Sequence, residues 1–234
     1  MNTYRKTAIT VGILFIACSV ASILGMSISN PILDGEDYLT TLASNSNQII
    51  AGSLIEFVWA ATCAGIAIGL YPILRKYNGA LALGAVGFRI VEGIFVLIGT
   101  LGLLSLLTLS QEFVSAGTSA ASSYQASGNA LVALRDWAHG SIVLIAFSLG
   151  TLLYSAVLYQ SRLIPRWLSG WGVLAAALCL AVTLYSTFNS SFGLTNLNTA
   201  LNAPIGLQEM VLAVWLIAKG FNPSVIASGP AKQL

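Results

Sequence analysis

The residues best suited to chemistry lie together in the stretch 135–140, where the only histidine of the chain, His139, follows Arg135 and Asp136. An apolar run over 141–159 comes next, in a chain of which 8% of the residues are charged. An imidazole among carboxylates can transfer protons or hold a divalent metal through mixed nitrogen and oxygen ligands. Charged groups at the edge of a membrane segment are costly unless they have partners or water. We therefore expect this stretch to meet side chains from other segments.

The candidate partners are ionisable residues that lie inside apolar segments rather than between them. They are Glu56, Arg89, Glu92 and Glu209. Arg89 and Glu92 are three residues apart, so they share one face of a helix. Together with Asp136, the three glutamates outnumber the arginines Arg89 and Arg135 by two. The two excess acids need a proton, water or a cation, because an unpaired charge is costly inside a membrane.

Several chemistries remain open for this set. The candidate metal ligands are His139, Asp136 and Glu56, although the chain has no H-x-x-x-H or H-E-x-x-H motif of a zinc hydrolase. A triad can be drawn from Ser141, His139 and Asp136, but close positions on one helix point apart. A proton relay through the histidine and the three glutamates is chemically reasonable. In the structural alternative, arginines pair with acids and only lock the helices together.

The composition indicates a membrane protein. Of the 234 residues, 56% are hydrophobic, and the mean hydropathy is +0.84, far above that of a soluble domain. The net charge of +2 and the lack of a basic cluster argue against a nucleic-acid partner. Cys18, Cys63 and Cys179 all lie in apolar runs without a C-x-x-C motif, so we expect packing roles for them.

The apolar runs predict an all-α integral membrane bundle of six helices in a single domain, 1–223, followed by a loose tail, 224–234. The predicted spans are 7–28, 49–74, 80–109, 138–160, 167–188 and 203–219. The polar stretch 111–128 is predicted to be a loop or a partly helical hairpin. The lipid bilayer is therefore a predicted partner of the chain.

An even number of spans places both termini on one side of the membrane. The basic residues of the terminal side are Arg5, Lys6, Arg75, Lys76, Arg162, Arg166, Lys219 and Lys232. The opposite loops hold the acidic residues Asp34, Glu36, Asp37 and Glu112. By the positive-inside rule we expect both termini of this multi-pass chain to be cytoplasmic.

Counting residues from the predicted span ends at about 1.5 Å each places the glutamates at nearly one depth. Glu56, Glu92 and Glu209 lie roughly 10 Å below the outer boundary of the bilayer. Arg89 lies about one helical turn deeper, and the stretch 135–140 lies at the boundary. We expect this charged layer in the outer half of the bundle to bind a ligand. Its members are Glu56, Arg89, Glu92, Arg135, Asp136, His139 and Glu209.

Four motifs give the chain a family resemblance. They are Glu56 followed by Gly69-Leu70-Tyr71-Pro72, the segment Arg89-Ile90-Val91-Glu92, the segment 161–168 (SRLIPRWL), and the segment 215–222 (WLIAKGFN). In this combination the chain resembles the bacterial membrane proteins grouped as domain of unknown function 4386. The resemblance spans nearly the whole chain. It implies a polytopic helical protein of the cytoplasmic membrane, and it implies no activity, ligand or catalytic residue.

Three classes of function follow from these observations. The first is a binding or transport-like protein whose polar pocket takes a small molecule, a lipid or an ion. The alternative is an intramembrane enzyme that acts on a lipid with the help of a metal. A structural or regulatory membrane component without a small-molecule site is the third. The chain has no glycine-rich phosphate loop, and no motif identifies a cofactor.

Overall fold

Helices account for nearly all of the described residues of the computed structural model, which are 3–35, 37–116, 121–189 and 196–228; these ranges contain no strand. The helices are α1 Thr3–Leu33, α2 Tyr38–Ser44, α3 Ser46–Leu74, α4 Gly79–Ala116, α5 Ala121–Trp137, α6 Val143–Ser161, α7 Arg166–Phe188, α8 Asn196–Ala218 and α9 Pro223–Ser228. A π-helical turn, Ala138–Ile142, joins α5 to α6 without a break.

Six of the helical segments are long and apolar enough to cross a membrane. They are α1, α3, α4, the continuous helix Ala121–Ser161, α7 and the Ala200–Ala218 part of α8. The prediction of an all-α membrane protein with six spans is therefore confirmed. Prolines do not break these segments in the middle, since Pro31, Pro72 and Pro204 lie within a turn or two of the helix ends.

The six spans pack in a ring whose order is α1, α3, α4, α6, α7, α8 and back to α1. Glycines allow the closest approaches between neighbours, as small residues do where lipid supplies no hydrophobic drive. A Cβ atom at Gly93 of α4 would lie 2.8 Å from the carbonyl oxygen of Ala60 in α3. One at Gly12 of α1 would lie 2.8 Å from the carbonyl oxygen of Ala213 in α8. The ring is thus tight at these crossings.

The start of α1, the α3–α4 turn, the α6–α7 turn and the end of α8 lie at one end of the bundle, which we call the terminal face. Lys76 donates to the hydroxyl of Tyr4 over 2.6 Å, and the backbone N–H of Asn222 donates to the carbonyl of Leu163 over 2.8 Å. Arg5 donates to the last carbonyls of α8, including that of Leu216 at 3.1 Å. The assignment of this face to the cytoplasm stays a prediction from charge.

At the opposite end, the far face, helices occupy most of the stretch 111–128, which was predicted to be a loop or a partly helical hairpin. α4 continues to Ala116, and α5 occupies Ala121–Trp137. A second apolar core holds these helices and α2 together; its buried members are Tyr38, Leu39, Leu42, Ile49, Leu103, Leu106 and Leu107. The start of the predicted tail forms α9, while Glu36 and 229–234 lie outside the described residues.

Candidate functional site

The stretch 135–140 meets α3 through a buried ion pair between Arg135 and Glu56. Arg135 Nη1 lies 3.2 Å from Glu56 Oε2, and Nη2 donates to Oε1. Glu56 is fully buried and Arg135 nearly so. Thr100 of α4 donates to Glu56 Oε2 over 2.7 Å, and Ser29 of α1 accepts from Arg135 Nη2 at 2.7 Å. We call these four residues the Glu56 cluster; they tie four helices together with most polar atoms satisfied.

His139 lies one turn further along, in the π-helical turn. Its Nε2 is 3.1 Å from the carbonyl oxygen of Val96, so the hydrogen bond requires a proton on Nε2. Its ring packs edge-on against Trp59 at 5.4 Å between ring centres. Gly99 makes room for it, because a Cβ atom there would clash with the imidazole. Single π-turns inside α-helices are frequent at functional sites, and His139 is buried in this one.

Arg89 lies at the centre of a second group of buried polar side chains. Its Nη1 is 3.0 Å from Glu92 Oε2 and 3.9 Å from Glu209 Oε1. Tyr154 donates to Glu209 Oε1 over 2.9 Å, and the Cys63 thiol donates to Glu92 Oε1 over 3.1 Å. We call these five residues the Arg89 cluster. It joins α3, α4, α6 and α8 around one guanidinium.

The Arg89 cluster is less completely paired than the Glu56 cluster. Arg89 Nη1 and Glu92 Oε2 are close enough for an ion pair but too poorly aligned for a hydrogen bond, and neither has a hydrogen-bond partner among the described residues. One guanidinium also stands against two carboxylates, Glu92 and Glu209, both nearly fully buried. In charge, the cluster therefore has room for one more cation; its hydrogen-bonding atoms without a partner in the described part of the chain are the donors Arg89 Nε and Nη1 and the acceptor Glu92 Oε2.

A cavity of about 590 Å³ adjoins this cluster inside the helix ring. Glu92, Glu209 and His139 lie in its wall, with Thr183 and Asn202. Apolar and aromatic residues cover most of the remainder, among them Met26, Trp59, Val143, Phe147, Ile205 and Met210. Two further wall atoms, Thr183 Oγ1 and Asn202 Oδ1, are buried without a hydrogen-bond partner in the described part of the chain. The cavity is thus apolar with a few converging oxygen atoms.

Hydrogen bonds and ion pairs divide the predicted site residues into two groups. Glu56 and Arg135 belong to one cluster, and Arg89, Glu92 and Glu209 to the other; among the described residues no hydrogen bond or ion pair joins the two clusters. His139 lies beside the first cluster and in the cavity wall of the second. Asp136 is exposed and forms no salt bridge with a described residue. The two clusters together therefore contain one more acid than arginine, whereas the sequence predicted two more.

The candidate metal and triad residues are not assembled for either chemistry. Within the described ranges, no group of three or more His, Cys, Asp and Glu side chains is placed to hold a metal ion. Ser141 accepts a hydrogen bond from Thr187 at 3.0 Å, while His139 faces a backbone carbonyl. Asp136 is exposed and makes no hydrogen bond to His139 within the described ranges, so this pair does not provide the acid that orients the histidine of a triad.

The neutral residues that complete both clusters were not among the predicted site residues. Thr100, Ser29, Tyr154 and Cys63 each contact a buried charge. Small polar residues do recur on one face of α6, at Ser148, Thr151 and Ser155. That stripe is a sequence signal for a polar interior next to Tyr154. Thr100, Ser29 and Cys63 lie in apolar helices and follow no such pattern.

Comparison with known protein families agrees with this architecture. The family model described as "Domain of unknown function (DUF4386)" matches residues 10–220. The chain belongs to the DUF4386 family. The match runs from α1 to the end of the turn after α8, so it includes both clusters and the cavity. No curated protein and no solved structure matches the chain.

Proposed function

We propose that this DUF4386 protein binds an amphiphilic molecule in the cavity, with the molecule's protonated amine held by Glu92 and Glu209. The observation that carries the proposal is that both carboxylates line the cavity while the single guanidinium of Arg89 serves both. A cation supplied by a ligand would balance the second carboxylate. Charge in a low-dielectric interior is stable only when it is matched in this way.

The hydrogen-bonding groups of the cavity favour a donor-rich ligand. Glu92 Oε2, Thr183 Oγ1 and Asn202 Oδ1 are all oxygen atoms without a hydrogen-bond partner among the described residues. A primary ammonium group offers three N–H donors and no acceptor. An anionic ligand would meet carboxylates at the same place. The acceptor character of the wall therefore supports an amine rather than a phosphate or a carboxylate.

The size and lining of the cavity support an apolar body on that ligand. A volume of about 590 Å³ falls in the range of small-molecule pockets, roughly 300–1,000 Å³. The methionine side chains Met26 and Met210 in the wall adapt to ligands of irregular shape. Trp59 and Phe147 add aromatic surface against which an alkyl chain or a ring can pack.

The ligand has a route from the lipid. Val20 and Ile23 of α1 and Leu207 of α8 line the cavity and are also exposed, with relative exposures of 48%, 65% and 61%. The same two helices touch closely at Gly12 and Ala213, nearer the terminal face. The cavity therefore opens between α1 and α8 beyond that crossing. An amphiphile dissolved in the bilayer can enter there without crossing the polar surface.

The test uses radiolabelled dodecylamine and the full chain in lipid nanodiscs, with empty nanodiscs as background. Dodecylamine is expected to bind in preference to dodecanol and dodecanoate. Glu92→Gln and Glu209→Gln are each expected to weaken binding about 10- to 100-fold, the usual effect of losing a charge-assisted hydrogen bond. Glu112→Gln, at an exposed position on α4, is the matched control and should bind like the parent.

Two results would overturn the proposal. Dodecanol binding as tightly as dodecylamine would mean that the cavity takes only the alkyl chain. If Glu92→Gln and Glu112→Gln weaken dodecylamine binding equally, the carboxylates do not form a specific site. Thermal melting of each variant without ligand separates loss of the site from loss of the fold.

A further inference from the structure

A second recess, distinct from the cavity, opens at the terminal face. It has a volume of about 580 Å³ and lies between the α6–α7 turn and the end of α8. Its lining combines three basic residues with apolar ones: Arg162, Arg166, Lys219, Leu163, Ile164, Trp215 and Phe221. Arg162, Arg166 and Lys219 are exposed, so their charged groups are accessible from outside the protein. This combination suits a ligand with an anionic group and an apolar part.

None of the described residues that line this recess is acidic. Glu209, the one acidic residue of α8, is buried in the Arg89 cluster. Among the described residues none of the three cations forms an ion pair. Arg166 packs over the ring of Tyr159, 5.4 Å from its centre, which orients the side chain without balancing its charge. The recess therefore presents three uncompensated positive charges.

The backbone around the recess is fixed. The hydrogen bond from Asn222 N–H to the Leu163 carbonyl, at 2.8 Å, holds its two walls together. Arg162 adopts a left-handed conformation with φ of 58°, which L-residues other than asparagine and aspartate seldom adopt. It is the only non-glycine residue of the described chain with a positive φ. This left-handed residue caps the C-terminal end of α6, so it starts the turn that forms one wall of the recess.

Lys219 follows α8, but it is Arg5 that donates hydrogen bonds to the last carbonyls of that helix. A lysine just after a helix normally interacts with the last carbonyls of that helix. Here Arg5 donates to the carbonyls of Leu216, Ile217 and Ala218 instead. The ammonium group of Lys219 can therefore act on a ligand in the recess.

We propose that this recess binds the phosphate group of an anionic phospholipid. Arginine and lysine are the usual partners of phosphate oxygens. The recess lies at the depth of the headgroups, as the exposed Trp167 and the neighbouring Trp215 indicate. The acyl chains can pack along the exposed apolar surfaces of α7 and α8, which include Leu174 and Val214.

The test is native mass spectrometry of the full chain released from nanodiscs that contain equal amounts of phosphatidylglycerol and phosphatidylcholine. The parent is expected to retain phosphatidylglycerol. Arg162→Asn combined with Lys219→Gln should weaken this retention about thirty-fold, since each basic residue near anionic lipid contributes a factor of about five. Asparagine tolerates the left-handed backbone at position 162, so the fold is preserved.

The matched control, Lys6→Gln combined with Arg75→Gln, removes the same charge from exposed positions on the same face. It should retain phosphatidylglycerol like the parent. If the two double variants lose the same amount of phosphatidylglycerol, the lipid is attracted to the charged face in general. That result would overturn the proposal of a specific site. A third arm adds glycerol 3-phosphate to the chain in phosphatidylcholine nanodiscs. If the soluble phosphate binds as tightly as phosphatidylglycerol, the ligand is not a lipid and the proposal fails.

Discussion

Arg135 and Glu56 form a two-pronged ion pair that joins the end of α5 to the middle of α3, and both side chains are buried. Removing one partner leaves a buried charge without a counter-charge, which costs about 3–5 kcal/mol. We expect Glu56→Gln and Arg135→Gln each to lower the free energy of unfolding by an amount of this order. The double variant should lose clearly less than the sum. Denaturant titration in detergent gives the coupling energy, and strictly additive losses would show that the pair does not act as a unit.

Arg89 is the counter-charge for both carboxylates of the second cluster. Arg89→Ala should lower stability at neutral pH by about 3–5 kcal/mol, because Glu92 then lacks a partner. Adding Glu92→Gln should recover part of the loss by removing the orphaned charge. Thermal melting of the single and double variants measures both effects. Glu112→Gln in the Arg89→Ala background is the control and should recover nothing. If Arg89→Ala melts like the parent, the account of this cluster is wrong.

Gly99 provides the space in which the His139 imidazole reaches the Val96 carbonyl. Gly99→Ala should displace the ring, break that hydrogen bond and cost about 1–3 kcal/mol of overpacking. Gly87→Ala is the matched control in the same helix, because a Cβ atom at Gly87 meets nothing within 4 Å. It should be neutral or stabilising by up to about 1 kcal/mol. The two melting temperatures should shift in opposite directions or by clearly different amounts; equal shifts would contradict the packing described for His139.

The orientation of the chain in the membrane is predicted from charge. A reporter that is active only in the cytoplasm should be active when fused after Leu234, and an epitope tag inserted near Asn196 should be accessible from outside the cell. Both results follow from basic residues concentrated on the terminal face. If a reporter that is active only outside the cytoplasm is active when fused after Leu234, the orientation is the reverse of the predicted one. The helix packing would be unchanged.

The six spans follow from the sequence because length and hydropathy alone determine which helices can cross a bilayer. The pairing of Arg89 with Glu92 also follows, since their spacing places them on one helix face. Counting residues gives depth, however, and depth does not say which way a side chain points around its helix. Asp136 directly follows the buried Arg135 and is nevertheless exposed. For the same reason, depth alone could not divide the charged residues into two clusters.

Other features of the site depend on packing between distant segments. Nothing in the residues 138–142 marks them as a π-helical turn, and the hydroxyl of Thr100 and the thiol of Cys63 look like any small residue in an apolar run. The cavity arises where α1 and α8 diverge beyond the crossing at Gly12. That divergence is set by the whole ring of helices rather than by either sequence segment.

The most direct measurement of the proposed binding site is a crystal structure of the full chain with ω-bromododecylamine, in which anomalous scattering locates the bromine atom. We expect the amine within hydrogen-bond distance, about 2.7–3.2 Å, of a carboxylate oxygen of Glu92 or Glu209. The bromine peak should lie inside the cavity or at its opening between α1 and α8. A bromine peak confined to the outer, lipid-facing surface at saturating ligand would contradict the account.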